Sequence, residues 1–105
     1  MLVRFPFSNG VGGKQRPAIV VSSDRYNQTS PDVMIASITS NLHALSHPGD
    51  HPITDWNAVG LLTPSLAQTK VATIEQSMIR RRLGRLGSDD WAAVEQGLRV
   101  ALGFL

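Results

Sequence analysis

Residues 17–22, Pro17-Ala18-Ile19-Val20-Val21-Ser22, decide how the chain is read. The run is β-branched, too short for a core helix, and bounded by a proline that suits a strand's first position and by the polar Ser22-Ser23-Asp24. Its unbroken apolar character marks a central strand buried on both faces. Such a strand needs neighbours, and similar runs lie on either side. Leu2 to Phe7 alternates and carries Phe5 and Phe7, as a half-buried strand does, with Pro6 placing it at an edge or a bulge. Val33 to Ile38 is a third strand, preceded by the turn-rich Tyr26–Asp32 and followed by Thr39-Ser40-Asn41. Between the first two strands, Ser8–Gln15 holds three glycines and no apolar period, which predicts a loop able to close over a ligand.

Further along the signals are shorter. Leu42–Asp55, with three His, two Pro and a Gly, reads as a long surface loop with at most one short strand around Pro52–Thr54. Gly60–Leu62, Ser65–Lys70 and Ala72–Glu75 are β-like, and Met78–Leu86 is a strand or a helical turn, with Gly84 opposing a continuous helix. The last element is an amphipathic helix. Ser88 is its expected N-cap, Asp89 and Asp90 favour the positive end of the dipole, and Trp91, Val94, Leu98, Ala101, Leu102 and Leu105 form the expected core face. Strands followed by one terminal helix predict an α+β fold, a small barrel or strongly twisted sheet carrying a C-terminal helix.

At 105 residues the chain is expected to form one domain over 1–105 with a core that needs no staple. The absence of Cys excludes disulfide scaffolds, thiolate metal clusters and a cysteine nucleophile. No apolar run approaches the roughly 20 residues of a membrane span, and Met1–Phe7 has no signal-peptide pattern, so a cytoplasmic location is expected. Phosphate-loop, dinucleotide-binding, zincin and nucleophile-elbow motifs are absent, which excludes the commonest cofactor enzymes.

Net charge is +2, but it is unevenly distributed. Met1–Pro31 carries Arg4, Lys14, Arg16 and Arg25 against Asp24, and Trp56–Gly87 carries Lys70, Arg80, Arg81, Arg82 and Arg85 against Glu75. Between and after them lie the acidic stretches Asp32–Asp55 and Ser88–Leu105. If the two basic blocks meet in space, they make a surface that attracts phosphate; otherwise they are ordinary solvated side chains.

Three constellations are candidates for chemistry. In Lys14-Gln15-Arg16-Pro17 the proline holds Arg16 extended, so a guanidinium fork leaves a rigid strand start; a neighbouring Thr39 would add a hydroxyl at the same edge. The bland alternative is a surface Arg before one strand and a Thr closing another. His43, His47 and His51 recur at intervals of four, but Pro48, Gly49 and Pro52 forbid a helix that would align them, so no metal site is expected. A solvated loop fits them best, with one His as a proton-transfer group or RNA contact the sharper reading. Arg80 and Arg82 would share one face of a strand and Arg81 the other, serving as a charged edge against aggregation, as nucleic-acid contacts, or both.

Phe5-Pro6-Phe7-Ser8-Asn9-Gly10, Lys14-Gln15-Arg16-Pro17-Ala18-Ile19-Val20-Val21, Ile38-Thr39-Ser40-Asn41 and Met78-Ile79-Arg80-Arg81-Arg82-Leu83-Gly84-Arg85-Leu86, in this order and at these distances, resemble the MazF/PemK toxins. The resemblance runs from about Leu2 to the terminal helix. It implies an SH3-like barrel, a homodimer, a cognate antitoxin, and metal-independent, sequence-specific cleavage of single-stranded RNA, often mRNA, with no cofactor. Carried over by residue, Arg16 and Thr39 are the implied catalytic pair. Lys14, Gln15, Ser40, Asn41, His43, Lys70, Arg80 and Arg82 are the expected RNA contacts. Two departures stand out. The Gly-Asp that begins many relatives is missing, so loop anchoring or dimer geometry is expected to differ. The usual Gln-X-Arg-Thr is replaced by Lys70-Val71-Ala72-Thr73, which leaves any phosphate contact of that arginine to Lys70. The alternatives are a barrel that binds RNA or protein without cutting, favoured by Ala72, and a gyrase poison of the related CcdB type.

Overall fold

The structure, a computed structural model, describes residues 1–6, 15–43 and 47–104. Phe7, Lys14, the Gly-rich loop between them and Leu105 lie outside the described residues. In chain order the elements are β1 (Leu2–Pro6), β2 (Gln15–Val20), α1 (Asp24–Thr29), β3 (Asp32–Thr39), β4 (His51–Pro52), β5 (Leu66–Glu75), a 3-10 turn (Gln76–Met78), β6 (Arg81–Gly84) and α2 (Ser88–Leu102). The strands form one antiparallel sheet in the order β4-β5-β3-β2-β1-β6. This curled half-barrel with a helix at its end is the expected α+β fold.

β2 is central, as its apolar run requires, with β3 on one side and β1 on the other. It starts at Gln15, so Arg16 sits inside the strand. β1 pairs with β6 only through Leu2, Val3 and Arg4, which leaves Pro6 beyond the ladder on that side, where a missing N–H is tolerated.

Alternation along the strands divides two clusters. Leu2, Ile19, Ile38 and Ala67 point to one face and pack with Ile53, Val59, Leu61 and Val94. Ala18, Val33 and Ile35 point to the other, with Phe5, Val20, Ile74 and Ile79. Truncating Leu2 or Ile19, both 0% exposed, to Ala would cost about 2–5 kcal/mol.

Four local readings need correction. Residues 24–29 form α1, which runs into the stretch 26–32 where turns are expected. Ser23 caps it, its Oγ accepting from Tyr26 N at 3.1 Å, and long-range bonds hold it: Gln76 Nε2 donates to Asn27 O at 2.6 Å and to Ser30 O at 2.8 Å. So short a helix owes its stability to such contacts more than to propensity. The β-like pieces 65–70 and 72–75 are one strand, β5, while residues 60–62 lie in the turn region that follows Thr54. The N-cap of α2 is Gly87, with Ser88 already helical. Finally, the buried face of α2 is Asp90, Val94 and Gly97 with Leu98 half-buried, whereas Trp91, Ala101 and Leu102 are exposed. A polar residue and a glycine occupy this face because the helix packs on a backbone turn that needs hydrogen bonds and close approach.

That turn is the long loop. Gly49 has φ +95 and its backbone lies against Gly97 of α2; a Cβ on either would collide with the other's carbonyl. Asp90 accepts His51 Nε2 at 2.8 Å, Thr54 N at 3.0 Å and Asp55 N at 3.2 Å. Burial pushes this carboxyl up, but these hydrogen bonds outweigh it and bring it down to about 2. The loop is therefore fastened to the helix.

Candidate active site

β2 and β3 pair as Ala18↔Ser37, Ile19↔Ala36 and Val20↔Ile35. Continued two residues, this register sets Arg16 across from Thr39, at the end the strands share. Alternation puts both on the face of Ala18 and Ser37, opposite the Ile19 core. On the far side of β2, Arg16 pairs with Phe5, and on the far side of β3, Thr39 pairs with Leu66. A row Phe5, Arg16, Thr39, Leu66 thus crosses four strands. Arg16 is exposed and Thr39 half-buried. The two leading candidates, 23 positions apart in sequence, fall at one end of the sheet because β2 and β3 are antiparallel neighbours.

The segment after Thr39 is shaped by side-chain hydrogen bonds. Thr39 Oγ1 accepts from Asn41 N at 3.1 Å, and Asn41 Oδ1 accepts from His43 N at 3.1 Å. The threonine hydroxyl is therefore oriented, with its own proton left to donate. Ser40, Asn41 and His43 are exposed beside it, and Gln15 is exposed one residue before Arg16. Lys14 lies outside the described residues.

β5 brings the next cation. It pairs with β3 as Ala36↔Val71 and then Ile38↔Ala67, so Ser37 faces the bulge Gln68, Thr69 and Lys70. Ala72 pairs with Ile35 and shares its face; by alternation Lys70 joins that face, which is also that of Ser37 and Thr39. Lys70 and Ala72, both exposed, are one pleat apart, about 7 Å.

Arg82 pairs with Val3 and Arg81 with Arg4 on the edge strand β6. Since Val3 pairs with Ala18, Arg82 falls on the Arg16 face and Arg81 on the other. Arg80 lies just before β6, its N–H donating to Arg4 O at 2.8 Å, and follows Ile79, which packs on the Ala18 face. Both basic blocks therefore contribute to one face: Arg16 from the first, Lys70 and Arg82 from the second. Arg82 and Arg85 also line a cleft of about 940 Å³ with Met1, Val20 and Trp91, toward the Val20 end of β2 and away from Arg16.

The histidines do not converge. His43 is exposed, His47 Nδ1 lies 3.9 Å from Asp50 Oδ2, and His51 is bound to Asp90. Among the described residues no group of three His, Cys, Asp or Glu could hold a metal ion. The loop reading is thus corrected for His51, which is a structural clamp.

Sequence reasoning missed Asp50. Its side chain is 0% exposed; Oδ1 accepts Thr69 N at 2.8 Å and Thr69 Oγ1 at 3.2 Å, and Oδ2 accepts His47 N at 3.0 Å. Burial raises its proton affinity, but the His47 and Thr69 bonds and the His47 charge prevail and hold the carboxyl below its ordinary range.

The family model "PemK-like, MazF-like toxin of type II toxin-antitoxin system" matches residues 1–102, and the chain belongs to that family. It is 33% identical over 93 residues, 87% of this chain and 83% of the relative, to a protein of Mycolicibacterium smegmatis named a probable endoribonuclease MazF. Its fold is that of the Mycobacterium tuberculosis toxin MazF-mt6, with TM-score 0.79 and 21% identity over 99% of this chain and 97% of that one. MazF in a MazE–MazF crystal structure from Deinococcus radiodurans is also similar, with TM-score 0.76 and 24% identity over 99% of this chain and 94% of the other. No described helix is long and apolar enough to cross a membrane.

Proposed function

We propose that this toxin is a metal-independent, sequence-specific endoribonuclease of single-stranded RNA, mRNA included, acting as one domain in the cytoplasm. The observation that carries the reading is the β2–β3 register, which, continued two residues, sets Arg16 across from Thr39, with Lys70 on the same face. The 2′-hydroxyl attacks its neighbouring phosphorus, a 2′-O–P bond forms, and the P–O5′ bond breaks. The 2′-proton is taken up and the departing 5′-oxygen gains one, leaving a 2′,3′-cyclic phosphate and a 5′-hydroxyl. Arg16 meets, with its guanidinium, the charge that develops on the phosphoryl oxygens. Thr39, its hydroxyl oriented by Asn41 N, donates to the scissile phosphate or the attacking hydroxyl. Gln15, Ser40, Asn41 and His43 border this pair and suit base contacts, Lys14, next to Gln15 in sequence, is a further candidate contact, and Arg80 and Arg82 suit the more distant backbone.

Relatives solved with their antitoxins support a homodimer neutralised by a cognate antitoxin. The test is cleavage of a long single-stranded RNA in EDTA, with cut ends sequenced. Discrete cuts by the wild type, lost in Arg16→Ala and Thr39→Ala with folding retained, are expected. No cutting by a folded wild type would sink the nuclease reading and leave a binding module.

A further inference from the structure

The site draws on a bulge that a strand ladder alone would not hold. β4 covers the outer edge of β5 only at His51↔Ala67 and Pro52↔Leu66. Just past that pairing, the Asp50 carboxylate takes both the N–H and the hydroxyl of Thr69, at 2.8 and 3.2 Å. It stands where another backbone carbonyl would continue the ladder. Thr69 is the middle residue of the bulge that faces Ser37, and Lys70 follows it directly. The carboxylate itself is immobilised: it accepts His47 N, Asp50 N donates to His47 O at 3.1 Å, and the adjoining Gly49 is seated on Gly97. A shut-off carboxylate, braced from α2, thus grips the backbone one residue before a cation on the candidate catalytic face.

We infer that Asp50 is a positioning residue for Lys70, acting through Thr69 to fix the β5 bulge and so to set this ammonium on the phosphate beside Thr39. The inference rests on the nuclease reading. It also accounts for the tolerance of Ala72: a cation held rigidly at 70 supplies the charge that an arginine two residues on would supply. A lysine on a relaxed bulge would not, since misplacing a catalytic group by about 1 Å can cost roughly a hundredfold in rate.

The test is a double-mutant cycle between Asp50→Ala and Lys70→Ala, read in kcat and KM for RNA cleavage. Both Thr69 donors meet the one oxygen Oδ1, which an asparagine amide would still offer, so the variant removes the carboxylate altogether. Asp50→Ala is expected to lower kcat at least tenfold and to raise KM a few-fold, Lys70→Ala to do likewise, and the double variant to match Lys70→Ala. Amide exchange is expected to show lost protection at Thr69 in Asp50→Ala. Losses that multiply in the double variant, an active Lys70→Ala, or an unchanged Asp50→Ala would overturn the assignment. If Asp50→Ala does not fold, Asp50→Ser enters the same cycle. The cycle is repeated on binding of a 2′-O-methyl RNA, where the singles weaken binding and the double adds nothing. A wild type that binds but never cuts would therefore defeat the nuclease reading alone, while additive binding losses would defeat the positioning claim.

Discussion

Gly49 and Gly97 meet backbone to backbone, 48 positions apart in the chain, and neither has room for a methyl group. This contact lets a loop turn lie flat on α2, and it makes Gly97→Ala a sharp test of how the helix docks. In an exposed helix, Gly to Ala would stabilise by about 1 kcal/mol. Here the added Cβ must displace the turn, so we expect a net loss of about 2 kcal/mol, seen as a thermal midpoint lowered by roughly 10 °C. An unchanged or raised midpoint would show that the turn is not seated on the helix.

Asp90 provides a pH signature. Its folded value, about 2, lies below the ordinary 3.8, so the carboxylate stabilises the fold above that ordinary value. The contribution is lost as pH falls through the window from 3.8 to about 2. Asp90→Asn should lose about 2 kcal/mol at neutral pH and flatten the stability profile across that window, measured by urea unfolding at stepped pH. A variant with the wild-type slope there would refute the role.

The role proposed for Thr39 lies in its hydroxyl, not in its shape. Thr39→Ser should retain RNA cleavage within about tenfold, whereas Thr39→Val, nearly isosteric and as suited to a strand, should lose roughly a hundredfold or more. Equal activities in the two variants would remove Thr39 from the mechanism.

Ala72 invites a gain of function. An arginine placed there would stand one pleat from Lys70 on the basic face. Ala72→Arg is expected to tighten single-stranded RNA binding several-fold and to steepen the dependence of log K on log salt by about 0.7. No change in that slope would mean that RNA does not reach position 72.

The two faces of β6 can be separated. Arg82 shares the face of Val3 and Ala18, and Arg81 that of Arg4. Arg82→Ala should weaken RNA binding at low salt by a few-fold while Arg81→Ala leaves it unchanged. The reverse order would mean that RNA lies on the other side of the sheet.

What was legible in the sequence was whatever depended on near neighbours. The β2 run, the end of β3 at Thr39 and the helix after Gly87 all announce themselves through patterns of a few residues, and once β2 and β3 are strands, antiparallel pairing does the rest. Asp50 and Asp90 were illegible for the opposite reason. Their partners are Thr69 and Thr54, 19 and 36 positions away, and a carboxylate in a loop or a first helical turn has an ordinary explanation that ends the search. The core face of α2 was misjudged likewise. An apolar count along the helix rewards Trp91 and Leu102, but what the sheet offers it is a turn that asks for Asp90 and Gly97.

The fastening of the 47–55 loop to α2 also sets an order of events during synthesis. Every strand leaves the ribosome before α2, so Arg16, Thr39 and Lys70 are all present in the nascent chain while Asp90 and Gly97 are not. Until the helix arrives, the turn that carries Asp50 has no seat, and the bulge before Lys70 has no rigid brace. A ribonuclease assembled in this sequence stays unfinished while its own messenger is still being read.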